Sequence, residues 1–326
     1  GPLWRHLGRK SLFAAHIPAY NRGTDFRHTG GNMQNPQRIV VGIDGTLASR
    51  AAIDWAVTHS DILGDVQPVY AWDYPVMATA GSPFGYAGIP PTPDLQDAAE
   101  RAAHDFVASL DGVDSTAITI KGDPGVAICG AADTADTIVI GTRHRGPLRA
   151  NVLGSVGRYC ADHAPVPLVI VPHHEGEPIA RAARVAVGID GSNNSFEALL
   201  WAGRSFPDAV LAAVTSWQTP LDAPVLFGGD RFDLAAFRSH AKALVNETAD
   251  KAAAEIGCDP GRIERRIAEG DPRWVLAAAQ EEADLLVLGR RGRTGLKHLV
   301  LGSTTTSLIH QPRCPVAVVP DPDDHP

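Results

Sequence analysis

The stretch Arg38-Ile39-Val40-Val41-Gly42-Ile43-Asp44-Gly45-Thr46 returns 146 residues later as Arg184-Val185-Ala186-Val187-Gly188-Ile189-Asp190-Gly191-Ser192. Each is a short apolar run closed by an acidic, glycine-containing turn. A run this short, bounded by turn residues, reads as a buried strand rather than a helix. The correspondence continues outward from it. Lys121-Gly122-Asp123-Pro124 answers Glu269-Gly270-Asp271-Pro272, and Ala135–Thr142 answers Ala283–Arg290. Val152–Ser155 answers Val300–Ser303, and Pro167–Pro172 answers Pro315–Pro320, now at an offset of 148. So ordered a series of matches is a duplication, with a small net insertion in the second copy.

Each copy is about 137 residues, the size of one domain. The sequence therefore divides into a basic extension (1–35), a first domain (36–172), a linker (173–183), a second domain (184–320) and a short tail (321–326). The extension carries Arg5, Arg9, Lys10, Arg22 and Arg27 against Asp25 alone and shows no amphipathic period, so it reads as a solvated arm. Its opening Gly1-Pro2 matches the scar of a protease site, and Met33 is a candidate natural start. In the linker, His173 and His174 stand beside Glu175 and Glu177, but adjacent residues of an extended segment face opposite ways, which disfavours a shared metal.

The composition of the 326 residues, 44% hydrophobic and 20% charged, is that of a soluble globular protein. No run approaches the roughly 18–20 apolar residues a spanning helix needs, so no membrane insertion is expected. A net charge of −8 argues against broad nucleic-acid binding. Four cysteines without a C-x-x-C pair exclude a zinc ribbon or disulfide scaffold and suit a reducing, cytoplasmic setting.

Within the first copy the apolar runs Ile39–Ile43, Val66–Trp72, Thr116–Ile120, Thr137–Ile140 and Leu168–Val171 alternate with Ala-rich helical stretches at Ser49–His59, Asp94–Leu110 and Val126–Thr134. Strand–helix alternation predicts an α/β fold: two tandem copies of a five-stranded, parallel, doubly wound, Rossmann-like sheet. Ligands of such sheets sit beyond the carboxyl ends of the strands.

Two elements fall at those ends. The first is Asp44-Gly45-Thr46 with its counterpart Asp190-Gly191-Ser192. Its carboxylate either accepts a hydrogen bond from a ligand or caps the next helix. The second follows the fourth strand: Gly289-Arg290-Arg291-Gly292, nine residues, then Gly302-Ser303-Thr304-Thr305-Thr306. Its glycines permit close approach and positive φ. Gly302 and Ser303 open a helix whose N–H groups and dipole favour an anion, with Ser303, Thr304 and the arginines adding donors and charge. The element reads as a phosphate cradle.

The assembled pattern, from about residue 36 to 320, resembles the universal stress protein family in its tandem form. That family's nucleotide motif is G-x-x-G, nine residues, then G-[S/T], and the second copy matches it in full. The resemblance implies an adenine nucleotide alpha hydrolase-like fold binding ATP, accompanied where needed by Mg2+ held mainly by phosphates and water. It implies Asp44 and Asp190 as adenine-side groups, with Ala71 and Ser216 walling the base. Gly289, Arg291, Gly292, Gly302, Ser303 and Thr304 would hold ribose and phosphates, and Gly141, Arg143, Gly154, Ser155 and Val156 are their first-copy counterparts. There the pattern departs: His144 replaces the second glycine, where a Cβ and imidazole either crowd the ribose or phosphates or meet a left-handed backbone cost of about 1–2 kcal/mol, the alternative being an outward ring that adds a donor. The second site is therefore expected to bind more tightly.

The P-loop, adenylation and G-x-S-x-G patterns are missing, and no residue stands out as a base, so a strong phosphotransferase or hydrolase is not expected. Cys314 reads as a small buried hydrophobe, and Trp72 and Trp217 as core or pocket wall. The preferred reading is an ATP-binding regulator of a bacterial stress or dormancy response, working with an unidentified partner protein. The alternatives are a nucleotide-poor dimeric scaffold and a slow ATPase. Family members pair through the last strand, a pairing a tandem chain can make internally between Pro167–Pro172 and Pro315–Pro320. A homodimer of two-domain chains is expected beyond that, with the Gly- and Pro-rich loops Asp73–Pro93 and Gln218–Arg231 at the nucleotide mouth or subunit contact.

Overall fold

The computed structural model describes residues 37–73, 93–145, 150–173, 179–218, 234–292 and 301–321. The basic extension, the centre of the linker and nearly all of the two long loops lie outside them.

In the first half β1 (Arg38–Ile43), α1 (Leu47–Thr58), α2 (Ser60–Leu63), β2 (Asp65–Trp72), α3 (Pro93–Ala108), β3 (Ile118–Lys121), α4 (Pro124–Ala131), β4 (Thr137–Gly141), β5 (Arg143–Arg145), β6 (Ala150–Val152), α5 (Ser155–His163) and β7 (Leu168–Val171) follow in order. The second half repeats this as β8 (Arg184–Gly188), α6 (Asn193–Ser205), β9 (Val210–Trp217), α7 (Leu234–Ile256), β10 (Ile263–Glu269), α8 (Pro272–Ala279), β11 (Leu285–Gly289), α9 (Ser303–His310) and β12 (Val316–Val319). The β5–β6 hairpin was not expected. Among the described residues its Arg-His-Arg and Ala-Asn-Val strands pair with each other, and neither sequence is an apolar run.

Each half is the expected five-stranded parallel sheet, and the two are continuous. The order β10-β9-β8-β11-β12-β7-β4-β1-β2-β3 forms one ten-stranded sheet. Every neighbouring pair is parallel except β12 with β7, which run antiparallel with Val316 opposite Ile170 and Val318 opposite Leu168. The internal pairing expected of the last strands is therefore the join between the halves.

Side chains alternate across the sheet, and both faces are buried. Ile39, Val41 and Ile43 enter a core with α1, α3, α6 and α7. Val40, Ile138, Leu168 and Ile170 enter another with α4, α5, α8 and α9. Burial on both faces is why these strands read as unbroken apolar runs. Further contacts lock the seam. Arg290 at the end of β11 reaches the Ala164 carbonyl at the end of α5, and Arg181 pairs with Asp61 at 2.7 Å. His59, at the end of α1, accepts the Ala182 N–H at 3.0 Å.

Candidate functional site

At the carboxyl ends of β8, β9 and β11 lies a cavity of about 480 Å³. The Asp190 turn forms one side of it. Gly191 has φ +83°, and its counterpart Gly45 has φ +77°, so glycine is what lets the chain turn this tightly. The acidic turn has the same local hydrogen bonds in both halves. The helix caps are Thr46 and Ser192, whose side chains accept the Ser49 and Ser195 N–H groups. Asp44 and Asp190 buttress those caps. Asp190 Oδ1 accepts from the Ser192 N–H at 3.0 Å and hydroxyl at 2.6 Å, and Asp44 Oδ1 does the same for Thr46.

The motif after β11 closes on itself. The Gly302 N–H donates to the Arg290 carbonyl at 2.9 Å, so the two glycine segments of the motif meet, and the Thr305 hydroxyl donates to the Gly289 carbonyl at 2.9 Å. Neither Gly289 nor Gly292 has positive φ, contrary to expectation. What they supply is room. A Cβ on Gly289 would lie 2.8 Å from Asn194 Oδ1, and one on Gly292 would lie 2.7 Å from Asp190 Oδ2. The same holds for Gly141, where a Cβ would meet the Ala48 carbonyl oxygen at 2.1 Å. The proposed cost of a left-handed backbone at His144 falls with this, because that residue lies in β5, opposite Asn151. The side chains of residues 143–152, Arg143 and His144 among them, are outside the description.

Of the residues expected in the second site, Asp190, Ser216, Gly289, Arg291, Gly292, Gly302, Ser303 and Thr304 all line this one cavity, and Trp217 stands in its wall. Asn194 was missed by sequence reasoning. It is buried, donates to the Val319 and Pro320 carbonyls at 3.2 and 3.1 Å, and accepts the Arg291 N–H at 2.8 Å. It thus pins the motif loop to α6 and β12. Phe237, His240 and Leu244 of α7 and Leu276 of α8 complete the wall. The position of Asn194 four residues after Asp190 was the available signal, but an Asn at a helix start is unremarkable.

In the first half the equivalent space is about 110 Å³, lined by Asp44, Ala71, Gly141, Gly154 and Val156 but not by Ser155. Ala48 occupies the place of Asn194, and Val156 that of Thr304, so two polar anchors become apolar. Burial pushes the Cys314 thiol up to about 12, as suits an inert hydrophobe. Among the described residues no cluster of three or more His, Cys, Asp or Glu could hold a metal, and no helix is long and apolar enough to cross a membrane.

The fold is that of a tandem α/β protein with a parallel sheet in each half and a cavity at the strand ends of each. Residues 35–172 and 182–320 each match the model of the universal stress protein family, and the chain belongs to that family. A universal stress protein of Mycobacterium tuberculosis is 24% identical over 310 residues, covering 88% of this chain and 96% of that one. Another from the same organism is 25% identical over 297 residues, covering 88% and 99%. A universal stress protein from Archaeoglobus fulgidus shares the fold, with a TM-score of 0.60 at 20% identity over 87% of this chain and 98% of its own.

Proposed function

We propose that this universal stress protein is an ATP-binding regulator whose second half holds the nucleotide. The observation that carries the reading is the convergence of eight motif residues on one cavity of about 480 Å³, within the roughly 300–1,000 Å³ of small-molecule sites. The residues fit a nucleotide. The carboxylate of Asp190 accepts at the adenine end, beside Ser216 and Trp217. The first N–H groups of α9, unpaired within any helix, together with Ser303, Thr304 and Arg291, offer donors and positive charge to phosphates. Bound ATP supplies a conformation for a partner to read. We assign the chain to binding rather than turnover: the Asp190 carboxylate is engaged by the Ser192 cap, and the sequence carries none of the P-loop or G-x-S-x-G patterns that position a reacting group.

The first half, with its smaller cavity and without the Asn194 anchor, favours a second reading for that half alone, a scaffold supporting the site across the seam. Assembly into a homodimer in the cytoplasm belongs to the same proposal and is checked by sedimentation at low micromolar concentration, where a monomer would count against it.

Mass spectrometry of nucleotide released on denaturation tests the function. ATP near one per chain is expected. Two per chain would refute the scaffold role of the first half, ADP in its place would favour slow hydrolysis, and no nucleotide with no uptake of added ATP would overturn the reading.

A further inference from the structure

The four cysteines have no paired spacing in the sequence, yet the fold brings two of them together. Cys129 lies on α4 and Cys160 on α5, neighbouring helices on one face of the sheet. The helices pack closely: a Cβ on Gly125 of α4 would come 2.7 Å from the Tyr159 ring of α5. Cys160 is fully buried and Cys129 is half-buried against the same apolar cluster, and Gly125, one turn before Cys129, packs on Tyr159, the neighbour of Cys160. The pair belongs to the first half only. Its counterparts in the repeat are Ala277 on α8 and Leu308 on α9, so this packing does not require thiols.

A cation stands near the pair. Arg290 crosses the seam from β11, is 5% exposed, and donates to the Ala164 carbonyl one turn beyond Cys160. The neighbouring Cys160 thiol, aided by the Arg290 charge, brings the Cys129 thiol below its usual range, while the Cys129 thiol and burial push Cys160 up. A half-exposed thiol that ionises more readily, backed by a buried protonated one, is the arrangement of an attacking and a resolving cysteine.

We propose that Cys129 and Cys160 are an oxidisable dithiol, closed to a disulfide by hydrogen peroxide. The Cys129 thiolate attacks one peroxide oxygen, the O–O bond breaks, and the departing hydroxide takes the proton lost by Cys129 and leaves as water. Cys129 is then a sulfenic acid. The Cys160 sulfur displaces its hydroxyl, the S–O bond breaks as the S–S bond forms, and the Cys160 proton leaves with the hydroxyl as a second water. Two thiols lose two electrons and two protons, and the peroxide is reduced to water. The disulfide ties α4 to α5 directly behind Ile128, Val156 and Gly157, which wall the first-half cavity.

The test uses the full-length reduced chain exposed to graded hydrogen peroxide, then denatured, alkylated and mapped by peptide mass spectrometry. Free thiols are expected to fall from four to two, with a cross-linked peptide pair joining Cys129 to Cys160 that a dithiol reductant releases. Cys129→Ala, which installs the residue the second half carries there, is expected to keep its remaining thiols at the same dose. A variant with both Cys258→Ser and Cys314→Ser is expected to form the cross-link unchanged. Oxidation of Cys258 or Cys314 first, a sulfinic acid at Cys129 without a cross-link, or survival of all four thiols would overturn the proposal.

Discussion

Gly292 packs against the carboxylate of Asp190 so closely that a Cβ there would stand 2.7 Å from Oδ2. The other carboxylate oxygen is held by the Ser192 N–H and hydroxyl, so the Asp190 side chain cannot swing aside without giving up the bonds that buttress the helix cap. Gly292→Ala therefore displaces either the motif loop or the acidic turn. Overpacking of this kind costs about 1–3 kcal/mol, and ATP affinity should fall by about tenfold or more. Isothermal titration checks it, and unchanged affinity would show that the two elements do not act together. His144→Gly should leave nucleotide stoichiometry where it was, because Ala48 and Val156 still stand where the second half has Asn194 and Thr304.

Asn194 holds three backbone groups of two different elements, the Arg291 N–H and the Val319 and Pro320 carbonyls. Asn194→Ala leaves them without that partner in a buried place. The expected loss is about 2–4 kcal/mol of stability, from unmade hydrogen bonds and the vacated volume. Chemical denaturation measures the loss, and nucleotide binding should weaken in parallel. Asn194→Asp should do nearly as badly, since a carboxylate cannot donate to Val319 and Pro320. A fully stable alanine variant would mean that the loop's other bonds, Thr305–Gly289, Gly302–Arg290, Arg290–Val319 and Arg290–Ala164 among them, hold it in place.

The strands were legible because the sheet is covered on both sides. Ile39 and Val41 face one core and Val40 the other, and the sequence shows that as an unbroken run. The cavity residues were legible because the duplicated motif marks the same strand ends twice. What escaped is what depends on distant partners. Nothing local in Arg143–Arg145 announces a strand, because among the described residues its partner is the equally short Ala150–Val152. The glycines of the motif were assigned a need for positive φ, whereas their constraint is the nearness of Asn194 and Asp190, visible only once α6 is packed on β11. Cys129 and Cys160, on helices separated in sequence by β4 and the β5–β6 hairpin, meet for the same reason.

His59 joins the halves through a single tautomer. Its Nδ1 lies 2.8 Å from the Trp55 carbonyl and its Nε2 accepts the Ala182 N–H at 3.0 Å, so the neutral ring must carry its proton on Nδ1. Trp55 stacks on it with centroids 4.3 Å apart, and Phe206 of the second half meets it edge-on at 5.9 Å. Burial, with the Arg181 charge assisting, holds its pKa below the ordinary histidine value of 6.5, against the opposing pull of the Trp55 carbonyl, Asp61 and Asp284. The unfolded chain therefore binds the proton first. The stability His59 contributes is complete above the unfolded value and is lost as pH falls from about 6.5 toward the lower folded value. Protonation would also point an Nε2–H at the Ala182 N–H, breaking the contact immediately before β8. The unfolding midpoint should consequently fall between about pH 7 and pH 5 more steeply in the wild type than in His59→Gln, which has no proton to gain in that range. Parallel pH profiles for the two would show that this histidine does not govern the junction.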